Sequence, residues 1–161
     1  MANVDYFLKI DGIEGESADD KHKSEIDLES WSWGATQPGT NSGMGGGGAG
    51  KVSMQDFHFV MRHNKASPLL MKAVATGQHI KEAKLTCRKA GGEQQEYMSI
   101  KFSDLLISSY QTGGSNGDVI PLDQISFNFA KIEHEYKPQK EDGSLDSPVK
   151  AGYDLKANKS I

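Results

Sequence analysis

The chain has 161 residues and a net charge of −4, enough for one domain with a real core and too little for two large ones. Charged residues make up 25% and hydrophobic residues 36%, and no apolar run approaches the roughly 18 residues that suggest a membrane-spanning helix. The net negative charge argues against a dedicated nucleic-acid binder. Cys87 is the only cysteine, so there is no internal disulfide and no thiol-based metal cluster. The start, Met1-Ala2-Asn3-Val4-Asp5-Tyr6, has neither the basic nor the apolar region of a cleaved secretory leader. Charge is distributed unevenly, with −6 over residues 1–37, +5 over 51–101 and −3 over 102–161.

In chain order, 4–11 reads as a short strand with Tyr6, Leu8 and Ile10 in one phase. Asp11-Gly12 opens a polar stretch to Lys23 that reads as a surface loop. From Ser24 to Gln37 the chain alternates, but the apolar phase switches. Ile26 and Leu28 are even; Trp31 and Trp33 are odd. Such a switch means a bulge, or a strand partly covered on both faces. If the tryptophans enter the core, Ser30, Ser32 and Gly34 form a row of small residues on the other side.

Seven of the 18 glycines fall between Gly39 and Gly50, so that segment is costly to order in isolation. Lys51 to His63 alternates as a strand with Gln55, Phe57, Phe59 and Met61 in phase. Ser67 and Pro68 signal the start of a helix over residues 67–77, with Gly77 as its left-handed stop and Leu69, Leu70, Ala73 and Val74 as its apolar face. His79 to Ala90 and Glu93 to Tyr110 read as a hairpin around Gly91-Gly92. Leu122 to Lys137 is the longest alternating run. Its phase passes from Ile125, Phe127 and Phe129 to Ile132 and Tyr136. A weaker strand spans Pro148 to Leu155, and 156–161 is a polar tail expected to fray. The pattern predicts one mainly β domain over 1–161: a barrel or sandwich of two packed sheets, one short flanking helix and an extended glycine-rich loop.

Candidate chemistry is sparse. Gly45-Gly46-Gly47-Gly48-Ala49-Gly50-Lys51 matches the first part of a phosphate-binding loop, but Val52 stands where Ser or Thr would hold magnesium, and Val52 to His63 alternates like a strand. His58 and His63 are five apart on a strand and point to opposite faces, and His134 reads as a partly buried structural histidine. There is no nucleophile elbow, and Cys87 sits mid-strand. No catalytic, cofactor-binding or metal-binding residues are assigned.

Several segments in order carry a resemblance: Gly15-Glu16-Ser17, Ile26-Asp27 with Trp31-Ser32-Trp33-Gly34, Gly45 to Val52 with Gln55-Asp56-Phe57, and Lys65-Ala66-Ser67-Pro68-Leu69. They continue with Leu85-Thr86-Cys87-Arg88-Lys89-Ala90-Gly91-Gly92, Tyr97, Ser108-Ser109, Gly113-Gly114, Asn128-Phe129-Ala130, Tyr136-Lys137-Pro138-Gln139 and Asp142-Gly143. Together they resemble the Hcp family, the tube proteins of bacterial type VI secretion. The resemblance implies a non-enzymatic subunit of hexameric rings that stack head to tail into an expelled tube. It implies sheath and spike proteins as partners and small effectors in the lumen, with no nucleic acid and no membrane insertion. It also implies assembly in the cytoplasm and export without a cleaved leader. A tail-tube protein of a phage or phage-like contractile particle would share the same physics. In such a ring Ser30, Ser32 and Gly34 are candidates for the channel wall. Gly43, Met44, Gly45, Gly46, Gly47, Gly48, Ala49 and Gly50 are candidates for the arm that packs on a neighbouring subunit or ring.

Overall fold

The computed structural model describes residues 4–38, 51–89 and 93–161. Its strands in chain order are β1 (Val4–Ile10), β2 (Ile26–Asp27), β3 (Ser30–Ser32), β4 (Ala35–Thr36), β5 (Ser53–Met54), β6 (Phe57–Arg62), β7 (His79–Lys89), β8 (Glu96–Gly113), β9 (Leu122–Tyr136), β10 (Val149–Asp154) and β11 (Lys159–Ser160). One helix, α1 (Ala66–Thr76), lies between β6 and β7 in the chain. All strand pairings are antiparallel.

The phase switch in residues 24–37 has a cause beyond a bulge. The Leu28 amide donates to the Tyr6 carbonyl on β1, and the next amide, Glu29, donates to Val60 on β6. The segment leaves one partner strand and joins another. This closes the circuit β1–β7–β8–β9–β6–β3–β2 into a barrel. On the far side, β7, β8 and β9 bend together. Ile80, Leu105 and Phe129 are in register and buried, as are Ala83, Phe102 and Ile132. The buried positions on each strand are thus three apart instead of two, and the inward phase changes at one level across all three strands. Asp104, inside this step, takes a left-handed φ of 55°. The bend divides the barrel into two packed sheets. The first holds β2, β1, β7, β10, β11, the early part of β8 and the late part of β9. The second holds β3, β6, the late part of β8 and the early part of β9.

Phe57, Phe59, Phe102 and Phe127 fill the space between the sheets, all without exposed surface. Burial of each contributes roughly 1.5–3 kcal/mol. Cys87 is also buried here, and desolvation pushes its thiol up to about 12, so it stays a packed, unreactive group.

Residues 11–25 are not a free surface loop. They form a strap across the outer side of β1 and β7, with Ser17 and His22 buried beneath it, while Ile13 at its start joins the core. His22 stacks on Phe7, ring centroids 4.3 Å apart, with Nδ1 2.9 Å from Glu25 and Nε2 2.6 Å from Glu96. Arg88, 2% exposed, donates two hydrogen bonds to Asp19 (3.0 and 2.6 Å) and one to Asp5 (3.1 Å), and lies 4.8 Å from the Phe7 ring centroid. The Arg88 hydrogen bond holds the Asp19 carboxyl down at about 2, against a smaller opposing effect of burial. The strap reads as polar in sequence because its anchors are ionic.

Gly15 fits the strap against the chain segment beside it. A Cβ there would lie 2.6 Å from the Glu25 carbonyl oxygen and 2.8 Å from Ile26 Cα, both backbone atoms with little room to move. Gly15→Ala is expected to cost about 2 kcal/mol through overpacking. A urea melt with an unchanged midpoint would show that the strap shifts freely.

The helix starts one residue before the expected 67–77, and Ser67 is not its cap. The Asn64 side chain accepts from the Ala66 amide (2.8 Å), while Ser67 Oγ accepts from the Asn64 amide (3.0 Å), a reciprocal cap. Pro68 therefore lies inside the first turn and not at its first position. Gly77 is the left-handed stop, φ 63°. Leu70 and Ala73 are buried, but Leu69 faces outward with 43% exposure, unlike the expected apolar face. The strands of the expected hairpin pair, with a register shift between Cys87 and Arg88; its Gly91-Gly92 turn lies outside the described residues. His134 is exposed and not partly buried, because β9 there runs beyond the core to pair with β10. The tail does not fray. β11 folds back on β10, and Ile161 fills the notch left by Gly152, where a Cβ would meet its Cγ1 at 2.8 Å.

Candidate functional site

The alternation expected around the tryptophans is present. Trp31 stacks on Phe57 with centroids 6.0 Å apart and meets Tyr6 edge-on, and Trp33 packs toward Phe129 at 6.5 Å. Both indoles are too large to leave in water without cost, so the intervening serines turn out. Ser30 and Ser32 are exposed. Gly34 lies just past β3 and is half-buried, with the Gln55 side chain 3.0 Å from where its Cβ would be.

Register extends these positions into rows that sequence reading missed. Ser32 lies opposite His58, His58 opposite Ser126, and Ser126 opposite Ser109. Ser30 leads in the same way to Val60, Gln124 and Gln111. His58 Nδ1 is 3.0 Å from Ser126 Oγ, which fixes the imidazole against the sheet. At one margin Asp56 accepts from Ser108; at the other Arg62 pairs with Glu29 at 3.1 Å. Between these margins the outer face of the second sheet carries serine, glutamine, valine and one histidine. The outward phase of His58 was legible from Phe57 and Phe59. Its pairing with Ser32 and Ser126 was not, because register between distant strands leaves no local signal.

The first sheet differs. Where the strap does not cover it, its outer face carries Lys84, Lys101, Glu133, Glu135 and Lys150 around an open cavity of about 380 Å³.

Gly43 to Gly50 lie outside the described residues. The segments flanking this stretch pair as a ladder, Ala35 with Met54 and Thr36 with Ser53. The first element after Lys51 is a strand, not a helix, so the phosphate-loop likeness lacks the helix N-terminus it needs. Among the described residues no three or more His, Cys, Asp or Glu side chains are placed to hold a metal ion, and no helix is long and apolar enough to cross a membrane.

A protein-family model described as "Type VI secretion system effector, Hcp" matches residues 7–136. The chain belongs to the Hcp family. It is 47% identical over 157 residues to Protein hcp1 of Pseudomonas aeruginosa, covering 96% of this chain and 97% of that one. Among solved structures it is similar to Hcp1 from Salmonella typhimurium, with 38% identity, a TM-score of 0.82 and coverage of 99% and 100%. It is also similar to a structure described as a type six secretion system protein, with 31% identity, a TM-score of 0.91 and coverage of 98% and 99%. This Hcp chain is therefore a type VI secretion tube protein, from a structural and non-enzymatic family whose members are secreted by that system.

Proposed function

We propose that copies of this Hcp chain close into hexameric rings, with the outer face of the second sheet as the channel wall. The rings stack head to tail into a tube, bound outside by a sheath and capped by a spike, with small effectors inside. The chain folds in the cytoplasm and is expelled by the secretion machine as part of the tube. The supporting observation is the contrast between the barrel's two outer faces. One is charged. The other presents Ser30, Ser32, Gln124, Ser126 and His58, a wall along which a cargo slides without finding a strong hold. Gly34 continues this wall at its edge, and Gly43, Met44, Gly45, Gly46, Gly47, Gly48, Ala49 and Gly50 are assigned to the contact with a neighbouring subunit or ring.

Negative-stain images and native mass of the purified chain are expected to show six-fold rings; a strict monomer under assembly conditions would overturn this reading. Ser32→Gln is expected to leave the ring intact and to change retention of a co-expressed effector by about tenfold, the scale of one or two hydrogen bonds. Collapse of the ring on that substitution would mean that Ser32 is packed between subunits.

A further inference from the structure

The outer face of the first sheet breaks a rule that the rest of the fold keeps. Lys9 on β1 lies directly opposite Lys84 on β7, and Lys84 directly opposite Lys101 on β8. Like charges in directly opposed cross-strand positions destabilise a sheet. Lys101 is relieved, with Glu82 at 3.0 Å and Glu133 at 3.8 Å. Among the described residues no carboxylate lies within 4.0 Å of the Lys9 or Lys84 ammonium. Both lysines are exposed, and Lys84 also borders the open cavity with Ser99, Lys101 and Lys150. An unrelieved local conflict of this kind marks a place where function is held at the expense of stability.

We propose that Lys9, Lys84 and Lys101 form a docking row for an acidic segment of a partner protein. Strands are about 4.8 Å apart, so the row runs about 10 Å across β1, β7 and β8, the span of a few residues of a polypeptide. The flanking groups favour a polypeptide over a polyanion. Glu133 and Glu135 line the same cavity and repel a phosphate chain, yet they can accept hydrogen bonds from a peptide's amides or basic side chains. The segment's carboxylates meet the two unpaired ammoniums, and the repulsion between those is relieved only in the complex. That this face lies on the outside of a ring rests on the assembly proposed above; the affinity for acidic polypeptide does not.

The test uses the full chain and poly-L-glutamate of about 20 residues, followed by amide chemical shifts at low salt, where the Debye length of about 30 Å leaves surface attraction unscreened. Shifts are expected to cluster at residues 9, 84 and 101. A Lys9→Glu/Lys84→Glu double variant is expected to weaken binding tenfold or more, while Lys72→Glu/Lys156→Glu leaves it unchanged. Lys84→Gln, which relieves the repulsion without a new charge, is expected to melt no lower than the parent and to bind more weakly. Shifts spread over all lysines, equal binding by the two double variants, or equal affinity for inorganic phosphate would each overturn the proposal. Salt-sensitive self-association through the same residues would do so too, by making a second copy the occupant. Imaging the same samples separates the two readings, since rings can form with or without glutamate binding.

Discussion

Asp123→Ala is expected to lower the unfolding free energy by about 3 kcal/mol, the range for removing one member of a buried, charged hydrogen-bond network. Asp123 has no exposed surface and sits at the start of β9. Its Oδ2 accepts from Ser67 Oγ at 2.5 Å and from the Tyr110 hydroxyl at 3.2 Å, and its Oδ1 lies 3.1 Å from His63 Nδ1. One carboxylate thus ties the first turn of α1, the end of β6 and the late part of β8 to β9. Alanine would leave the buried Ser67 O–H without its acceptor, although Ser67 Oγ still accepts from the Asn64 amide, and would loosen the helix from the barrel. For a chain of this size the melting temperature should fall by about 10 °C.

The pH dependence has its origin in the same contacts. Burial alone would raise the Asp123 carboxyl, but hydrogen bonding, with Ser67 and His63 among the partners, outweighs it and holds the group below its ordinary value. A carboxyl lowered in the folded state adds stability that is fully present above its unfolded value near 4 and is lost as pH falls through the folded value. The advantage of the parent over Asp123→Asn should therefore be full at pH 7 and shrink below about pH 4. A difference that stayed constant down to pH 2 would show that the network does not depend on the ionised carboxylate.

Asp123 also marks where sequence reading stops. On β9 the alternation and its switch between Phe129 and Ile132 were legible, because each strand face meets either core or water. That switch located the bend of the barrel without showing that β7 and β8 bend at the same level. Asp123 precedes Ile125 and Phe127 in the inward phase, but an aspartate before an apolar run reads as a turn residue. Its three partners come from distant parts of the chain. The strap was hidden for a related reason: Asp19, His22 and Arg88 are surface residue types until they are seen to pair. Ser30 and Ser32 were legible as outward-facing because Trp31 and Trp33 leave the strand no other choice. Their neighbours His58 and Ser126 required the register. The partner change between Leu28 and Glu29 left its trace as a phase switch, yet its cause lay in β1 and β6.

The second large effect is expected at the joint between the two sheets. Phe57 stands on β6 of the second sheet and is fully buried. Its ring centroid lies 4.9 Å from Phe102 of the first sheet, 5.1 Å from Phe127, and 6.0 Å from Phe59 and from Trp31. Phe57→Ala removes the shared member of all four pairs and leaves a cavity whose walls are held by strands that cannot collapse far. The expected cost is about 4 kcal/mol, against about 1.5 kcal/mol for Phe57→Leu, which keeps most of the volume. In urea the midpoint should fall while the slope stays the same, since the surface exposed on unfolding barely changes. Trp31 stacks on Phe57 and Trp33 follows directly after β3, so in a Trp33→Phe background the fluorescence of Trp31 reports the second sheet, while far-ultraviolet circular dichroism averages over both. The closed circuit of strands requires the two signals to move together in the parent and in Phe57→Leu. A fluorescence transition that ran ahead of the dichroism in Phe57→Leu would mean that the second sheet melts by itself, and that the aromatic cluster, more than the strand pairing, makes the barrel one cooperative unit.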